Sequence, residues 1–243
     1  PVYIELHARS AFSFLEGASV PEDLIDACVR HEMPSMALVD IDNVAGAPRF
    51  YMAAKKAGVR ANLGAEITAA RGGRYTLLAE TREGYQNLCQ LITSMKLRCE
   101  KGSAAATEDE FRQYSRGLIT LARGDHDLGE LLDIYGQRNV YVELQRHYDR
   151  KEEARNQHLV ALARRHKLPV VATNGVRHAT PEERELYDVL TCVRHKTTIQ
   201  EAGVLLARNA DRHLKTPRAM KRLFADIPEA IANTVELSSR LDF

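Results

Sequence analysis

The sequence predicts an α/β domain built on a mostly parallel sheet, open or closed into a barrel. Three observations carry this. Short apolar runs alternate with amphipathic stretches along most of the chain. The spacing between runs leaves room for helical crossovers. Charged and histidine residues gather where the apolar runs end. With 243 residues the chain can bury one large core or two small ones.

Taken in chain order, residues 2–7 (Val-Tyr-Ile-Glu-Leu-His) read as a strand. Ser19 and Glu22 are spaced as a capping box, Pro21 suits a first helical turn, and Leu24, Ile25 and Cys28 form an apolar stripe behind them. Ser35 to Val39 is a second strand. Gly46 to Ala57 reads as helix with Gly58 as its C-cap, and Arg60 to Ile67 as strand. Gly72-Gly73 marks a hairpin into Tyr75 to Leu78. Arg82 to Lys96 is helical, and the polar stretch Glu100 to Thr107 is expected as a mobile loop. Strands at Gly117 to Leu121, Val140 to Leu144 and Pro169 to Ala172 alternate with helices at Leu128 to Tyr135 and Lys151 to His166. From Pro181 onward no strand is expected, and Pro217 to Arg240 reads as a helical tail.

Composition narrows the function classes. Thirty-four basic against 33 acidic residues give a net charge of +1, without the strong basicity that usually advertises nucleic-acid binding. A local basic face remains open. Cys28, Cys89, Cys99 and Cys192 lack CxxC spacing, and three of them sit in helix-like patterns, so packed thiols are expected. No signal-like stretch opens the sequence and no apolar run approaches the roughly 18 residues of a membrane span. The expectation is a cytoplasmic protein without membrane contact. Starting at Pro1 and ending on Asp242-Phe243, both termini are expected to be cuts in a longer protein.

In folds of this kind chemistry gathers at strand ends, because the loops after the strands converge on one face. That rule selects His7 to Arg9, Asp40 to Asp42, Glu66, Ala122-Arg123, Glu143 to His147 and Asn174 to His178. Imidazoles and carboxylates so placed form the pattern of a polynuclear metal site.

The motifs at these ends carry a resemblance. Leu6-His7-Ala8-Arg9-Ser10 and then Phe12 to Ser19 resemble the opening motif of the PHP (polymerase and histidinol phosphatase) domain. Leu38 to Asp42 is similar to its second motif, Gly64-Ala65-Glu66 to the glutamate next in order, and Tyr141 to His147 and Val171 to Arg177 to the later ones. The tail, Leu205 to Asn209 and Leu223 to Ala230, resembles the segment after the PHP barrel in C-family (polymerase III alpha-type) bacterial DNA polymerases, above all their error-prone branch. The resemblance spans essentially the whole chain. It implies a distorted (β/α)7 barrel over residues 1–180, with a helical extension over 181–243 leading into a polymerase core. In active members it implies a cluster of divalent ions serving a phosphoesterase or 3′–5′ proofreading exonuclease, where metal-bound hydroxide attacks phosphorus.

The departures from the pattern matter more than the matches. Arg9 stands for the second histidine of the opening pair, Ile41 for a histidine between two acids, and Gly175 and Arg177 for the closing Asp-x-His pair. Ala122-Arg123 replaces a Gly-Cys-like turn. His7, Glu16 and Glu66 remain at ligand positions with Asp40 and Asp42 nearby. Arginine stays protonated and isoleucine has no donor, so neither ligates. The expectation is a degenerate site in which Arg9, and with it Arg177, pairs with Glu66 or Asp40.

Blander roles stand beside each of these. His7 reads as a surviving ligand or a hydrogen-bonded barrel histidine, Glu66 as a salt-bridge partner or a ligand, and Glu16 as a ligand or an exposed loop residue. Asp40 and Asp42 suit a lone Mg²⁺ or a strand-end cap. His147 faces the site, pairs with the charge run 149–153, or, as favoured here, lies in solvent; His178 reads as a displaced neighbour. Arg208, Arg212, Lys215, Arg218, Lys221 and Arg222 form either a strip contacting DNA phosphates or a solvated helical face. Lys96, Arg98 and Lys101 read as a plain rim, and Tyr141 and Tyr148 need no base-stacking role.

These residues support three functional readings. The first is a structural N-terminal domain of an error-prone (translesion) polymerase, with catalysis in a palm domain outside this chain. A polymerase that copies across damage has little use for proofreading. Its partners would be the rest of the polymerase chain, DNA through it, a sliding clamp and translesion accessory proteins. The second is a reduced metal-dependent phosphoesterase using His7, Glu16, Asp40, Asp42 and Glu66 with Zn²⁺ or Mn²⁺; the first expects no metal, or one weakly held divalent ion. The third is a DNA- or protein-binding module.

Overall fold

The computed structural model describes residues 2–100, 102–124 and 128–243. Its elements run β1 (Glu5–Ala8), α1 (Pro21–Arg30), β2 (Ser35–Ile41), α2 (Ala47–Ala57), β3 (Arg60–Thr68), β4 (Arg74–Ala79), α3 (Arg82–Arg98), α4 (Glu108–Gln113), β5 (Leu118–Ala122) and α5 (Leu128–Tyr135). Then come β6 (Val140–Leu144), α6 (Arg150–His166), β7 (Val170–Ala172), α7 (Arg184–His195), α8 (Ile199–Ala202), α9 (Pro217–Leu223) and α10 (Pro228–Arg240).

Seven strands pair in sequence order. β1, β2 and β3 are parallel, as are β5, β6 and β7, while β4 runs antiparallel to both its neighbours. The reversal at β4 comes from the Gly72-Gly73 turn, whose φ angles of +99° and +79° return the chain too tightly for a helical crossover. The sheet curls until its edges meet. Arg9 donates its amide to the Val176 carbonyl at 2.9 Å, and Val176 donates back to His7 at 2.9 Å.

Strand alternation then divides the core in two. Leu38, Leu63, Ala65 and Leu77 pack outward under the helices. Val39, Leu78, Ile119, Leu121, Tyr141 and Val171 form a second cluster with Ile4 and Leu6 of the first strand segment. One cluster fed by six strands requires a common interior. Its floor is α10, which contributes Leu237 and Leu241. Thr234 accepts the Ile4 amide at 3.2 Å, Asn62 donates to the Ser238 hydroxyl at 2.9 Å, and Asn233 donates to the Val170 carbonyl at 2.7 Å. All three contacts lie at strand starts, so α10 closes the end opposite the strand exits. The helical extension therefore completes the barrel core.

Several local expectations are corrected. The Ser19/Glu22 capping box does not form: Ser19 accepts from Ala179 and donates to Glu183, and Glu22 pairs with Arg49. Tertiary partners took both side chains. The tail expected as one helix breaks over 224–227, because Pro228 lacks the amide that would continue it. α4 was not expected, although its Thr107/Glu110 capping box was written in the sequence. Within the polar stretch 100–107, Ala106 exchanges hydrogen bonds with Thr68 and Ala70. Lys101 lies outside the described residues. Cys28 and Cys192 are buried on helices, and no described helix is long and apolar enough to cross a membrane.

Leu237→Ala tests the barrel floor. Leu237 is fully buried, so truncation is expected to cost about 2–5 kcal/mol by urea denaturation. A change within the range of surface substitutions would mean that α10 is not part of the core.

Candidate functional site

Above the apolar interior, at the strand exits, the same alternation places polar side chains. Glu66 comes after Asn62 and Gly64 on the inner face of β3. Glu143 and Gln145 continue from Tyr141 along β6, and Thr173 from Val171. In β1 the register slips between Glu5 and Ala8, and such an irregularity re-aims side chains. His7 reaches across the mouth. Its Nε2 lies 2.7 Å from Glu66 and its Nδ1 2.7 Å from Glu143. Arg9 grips Glu66 as a fork, Nε to Oε1 at 2.5 Å and Nη2 to Oε2 at 2.8 Å. Thr173 and Gln145 donate to the same oxygen of Glu143, and Arg123 sits 3.5 Å from its other oxygen. Glu16, on the loop after β1, is forked by Arg74 at 2.8 and 3.0 Å and lies 3.4 Å from both Arg9 and Arg194.

The result is a continuous alternation of charge: Glu143, His7, Glu66, Arg9, Glu16, Arg74. Burial disfavours charge on His7, but the carboxylates of Glu143 and Glu66 outweigh it and raise the imidazole to about 9. Burial likewise pushes Glu143 up, while His7 and Arg123 pull it down to about 2. Glu66 is held well below the usual carboxylate range by His7 and Arg9 against its own burial. At neutral pH two buried anions thus face two buried cations. Beside them Glu5, accepting from the Tyr3 hydroxyl and the Asn174 amide, is pushed up to about 7 by burial.

The remaining sequence-derived positions take separate roles. Asp40 alternates away from Glu66 and is spent on the loop, accepting from the Ser10 amide, the Ser10 hydroxyl and Ser13 at 2.6–2.8 Å. Asp42, at φ +53°, caps the end of β3 through Thr68. Ile41 is the register partner of Glu66, so a saturated side chain stands where a ligand would be needed. Arg177 departs from expectation: it pairs with neither Glu66 nor Asp40, and instead donates to the Tyr187 hydroxyl at 2.7 Å with its guanidinium over that ring. Gly175 leaves space that Gln145 and Arg212 fill; a Cβ there would meet them at 2.6 and 2.9 Å.

His147, expected in solvent, is buried. Its Nδ1 lies 2.9 Å from Glu152 and its Nε2 2.8 Å from the Asn174 carbonyl. His178 is also buried, bonded to the Thr180 carbonyl. The Arg208–Arg222 strip does not form one face. Residues 206–216 are irregular, Lys215 turns inward onto Asp211, and Arg212 faces the barrel mouth. Arg208, Arg218, Lys221 and Arg222 remain exposed. Sequence reasoning placed Glu143 and Arg123 at strand ends without giving them a role, though the inward alternation from Tyr141 marks Glu143. It missed Arg74, Arg194 and Tyr187, which arrive from distant elements.

The donor set does not fit a divalent cluster. Both nitrogens of His7 are engaged by carboxylates and both oxygens of Glu66 by one guanidinium. Among the described residues no group of three or more His, Cys, Asp or Glu side chains is arranged to hold a metal ion.

Fold and strand-end site define the class: an α/β barrel with its polar centre at the strand exits. Residues 5–131 match the model of the PHP domain, just over half of the chain, and the chain belongs to that family. Among individual proteins it is similar to error-prone DNA polymerases. It is 37% identical to that of Anaeromyxobacter sp. over 261 aligned residues and 36% identical to that of Caulobacter vibrioides over 251. Each alignment covers 100% of this chain and 23% of the relative, so the chain spans about a quarter of their length. A solved protein of Bifidobacterium adolescentis, put forward as a metal-dependent phosphoesterase, superposes with a TM-score of 0.51 at 15% identity. That match covers 71% of this chain and 86% of the other, and it shows the shared fold.

The charge chain predicts two outcomes. Arg9→Met leaves Glu66 buried without its fork and should cost roughly 3–5 kcal/mol; a loss under about 1 kcal/mol, typical of an exposed pair, would refute the assignment. For pH, a folded-state His7 near 9 contributes stability that is complete below the ordinary imidazole value and lost as pH rises through 9. Chemical denaturation should therefore show a loss on the order of 3 kcal/mol between pH 6.5 and 9 from His7 alone. Glu5, held up to about 7, adds to that decline at its lower end. The depressed Glu143 and Glu66 act at the other limit, losing their contribution as pH falls through the acid range. A wild-type curve flat from 6.5 to 9 would contradict this reading.

Proposed function

We propose that this PHP domain serves as a scaffold within an error-prone, translesion DNA polymerase of the cytoplasm, with its family's divalent cluster replaced by fixed protein cations. The observation that carries the reading is the Arg9 fork on Glu66, buried beside His7. An arginine standing where the family places a metal-binding histidine supplies charge without a proton equilibrium or an exchangeable ion. Similarity over the whole chain to polymerases about four times as long supports the remainder of such a polymerase as its partner, and DNA through it. Residues that metal-bound hydroxide would require are instead hydrogen-bonded to one another, which supports a domain without turnover of its own.

The test is metal content after Zn²⁺ or Mn²⁺ loading, with phosphodiester hydrolysis measured alongside. The expected result is strongly substoichiometric metal, no turnover, and a Tm that chelator leaves unchanged, since an ion bound only to the folded state would stabilise it. Near-stoichiometric metal lost in Glu66→Ala, accompanied by hydrolysis, would replace this reading with that of a minimal nuclease.

A further inference from the structure

The charge chain accounts for Arg9, Arg74 and Arg123, but not for two further guanidiniums beside it. Arg177 makes one side-chain hydrogen bond among the described residues, to Tyr187. Arg212 makes two long ones from a single nitrogen, 3.2 Å to Gln145 and 3.5 Å to the Gly175 carbonyl. Neither has a carboxylate within ion-pair distance among the described residues, although their backbones are joined by a 2.9 Å hydrogen bond. Both line a cavity of about 180 Å³ between the start of α6 and the segment 207–212, with Arg208 at its rim.

The acids in that wall are already committed. Glu152 receives the His147 amide at 2.7 Å and its ring at 2.9 Å. Asp149 caps α6 through Lys151 and holds Arg208 at 3.0 Å. Arg177 and Arg212, both half-buried, repel each other, and Glu152, already paired with His147, offsets this only in part. Burial, with Arg177 and Arg123, presses Arg212 down to about 9. Such an arrangement is costly unless a counter-charge enters. Planar guanidiniums with free donors match tetrahedral oxyanions as forks. The volume lies below the roughly 300 Å³ at which drug-sized pockets begin, which limits the occupant to one small group.

We propose that this cavity binds a phosphate-class oxyanion, held by Arg177 and Arg212 in the wall and by Arg208 at the rim. The site stands on its own charges and does not depend on the scaffold reading, since it takes an anion whether or not a metal binds elsewhere. The occupant is free phosphate or the terminal phosphate of a nucleic-acid strand.

The chain is titrated in chelator with inorganic phosphate against chloride at matched ionic strength, tracking Tm and heat of binding. Saturable stabilisation specific to phosphate is expected. Arg212→Gln should weaken it by about tenfold or more, the loss expected for one charge-assisted contact. Arg208→Gln, an exposed position that leaves the fold intact, should weaken it severalfold and keeps the test valid if Arg212→Gln does not fold. Arg218→Gln, outside the cavity, should leave it unchanged. A 5′-phosphorylated single strand that displaces phosphate while its unphosphorylated twin does not would identify a strand end as the source. Displacement by neither would identify free phosphate. A phosphate effect equal to that of chloride, or one equal in wild type, Arg208→Gln and Arg212→Gln, overturns the site. Because metal is absent throughout, that failure says nothing against the scaffold reading.

Discussion

Two carboxylates from opposite sides of the barrel share one imidazole, and the rest of the mouth is arranged around the need to keep that group charged. Glu66 and Glu143 are almost inaccessible to water, and either one unpaired would cost several kcal/mol. His7 alone cannot balance both. Arg9 supplies the second cation in the geometry with least freedom, a fork on one carboxylate, while Arg123 stands near the other. Ser10 and Ser13 are then free to organise the loop on Asp40, and Glu16 can close that loop over Arg9.

The barrel makes this arrangement possible by separating two environments along its axis. The lower interior is apolar and sealed by Leu237 and Leu241 of α10. The upper interior is polar, and its charges meet across a diameter that neither local sequence nor strand pairing specifies. A metal cluster and a set of salt bridges solve the same problem there, since both place positive charge among convergent carboxylates. They differ in consequence. A metal activates water, whereas a guanidinium fixes charge and has no open coordination position.

The mouth nevertheless carries more arginine than its acids absorb. Arg177 and Arg212 come from the closing motif and from the segment beyond it; a backbone hydrogen bond joins them, and Gly175 leaves the Arg212 guanidinium its space. The bare backbone at Gly175 thus makes room for a cation from a distant part of the chain.

Strand and helix placement was legible in the sequence wherever periodicity was strong, as in β2, α2, β3, α5 and β6, because alternation and helical stripes are local consequences of burial. The Gly72-Gly73 hairpin and the Gly58 cap were legible for the same reason: a positive φ narrows the choice of residue. The motifs at the strand ends marked His7, Arg9, Glu66 and the departures Ile41, Gly175 and Arg177. Only the tertiary structure decided who pairs with whom. It took Ser19 from its helix to Glu183, buried His147 against Glu152, sent Arg177 to Tyr187, and gave His7 a second acid in Glu143 from 136 residues away. Ion pairing depends on distance in space and on the cost of stranding a charge away from water, and neither is written in the spacing of residues along a chain.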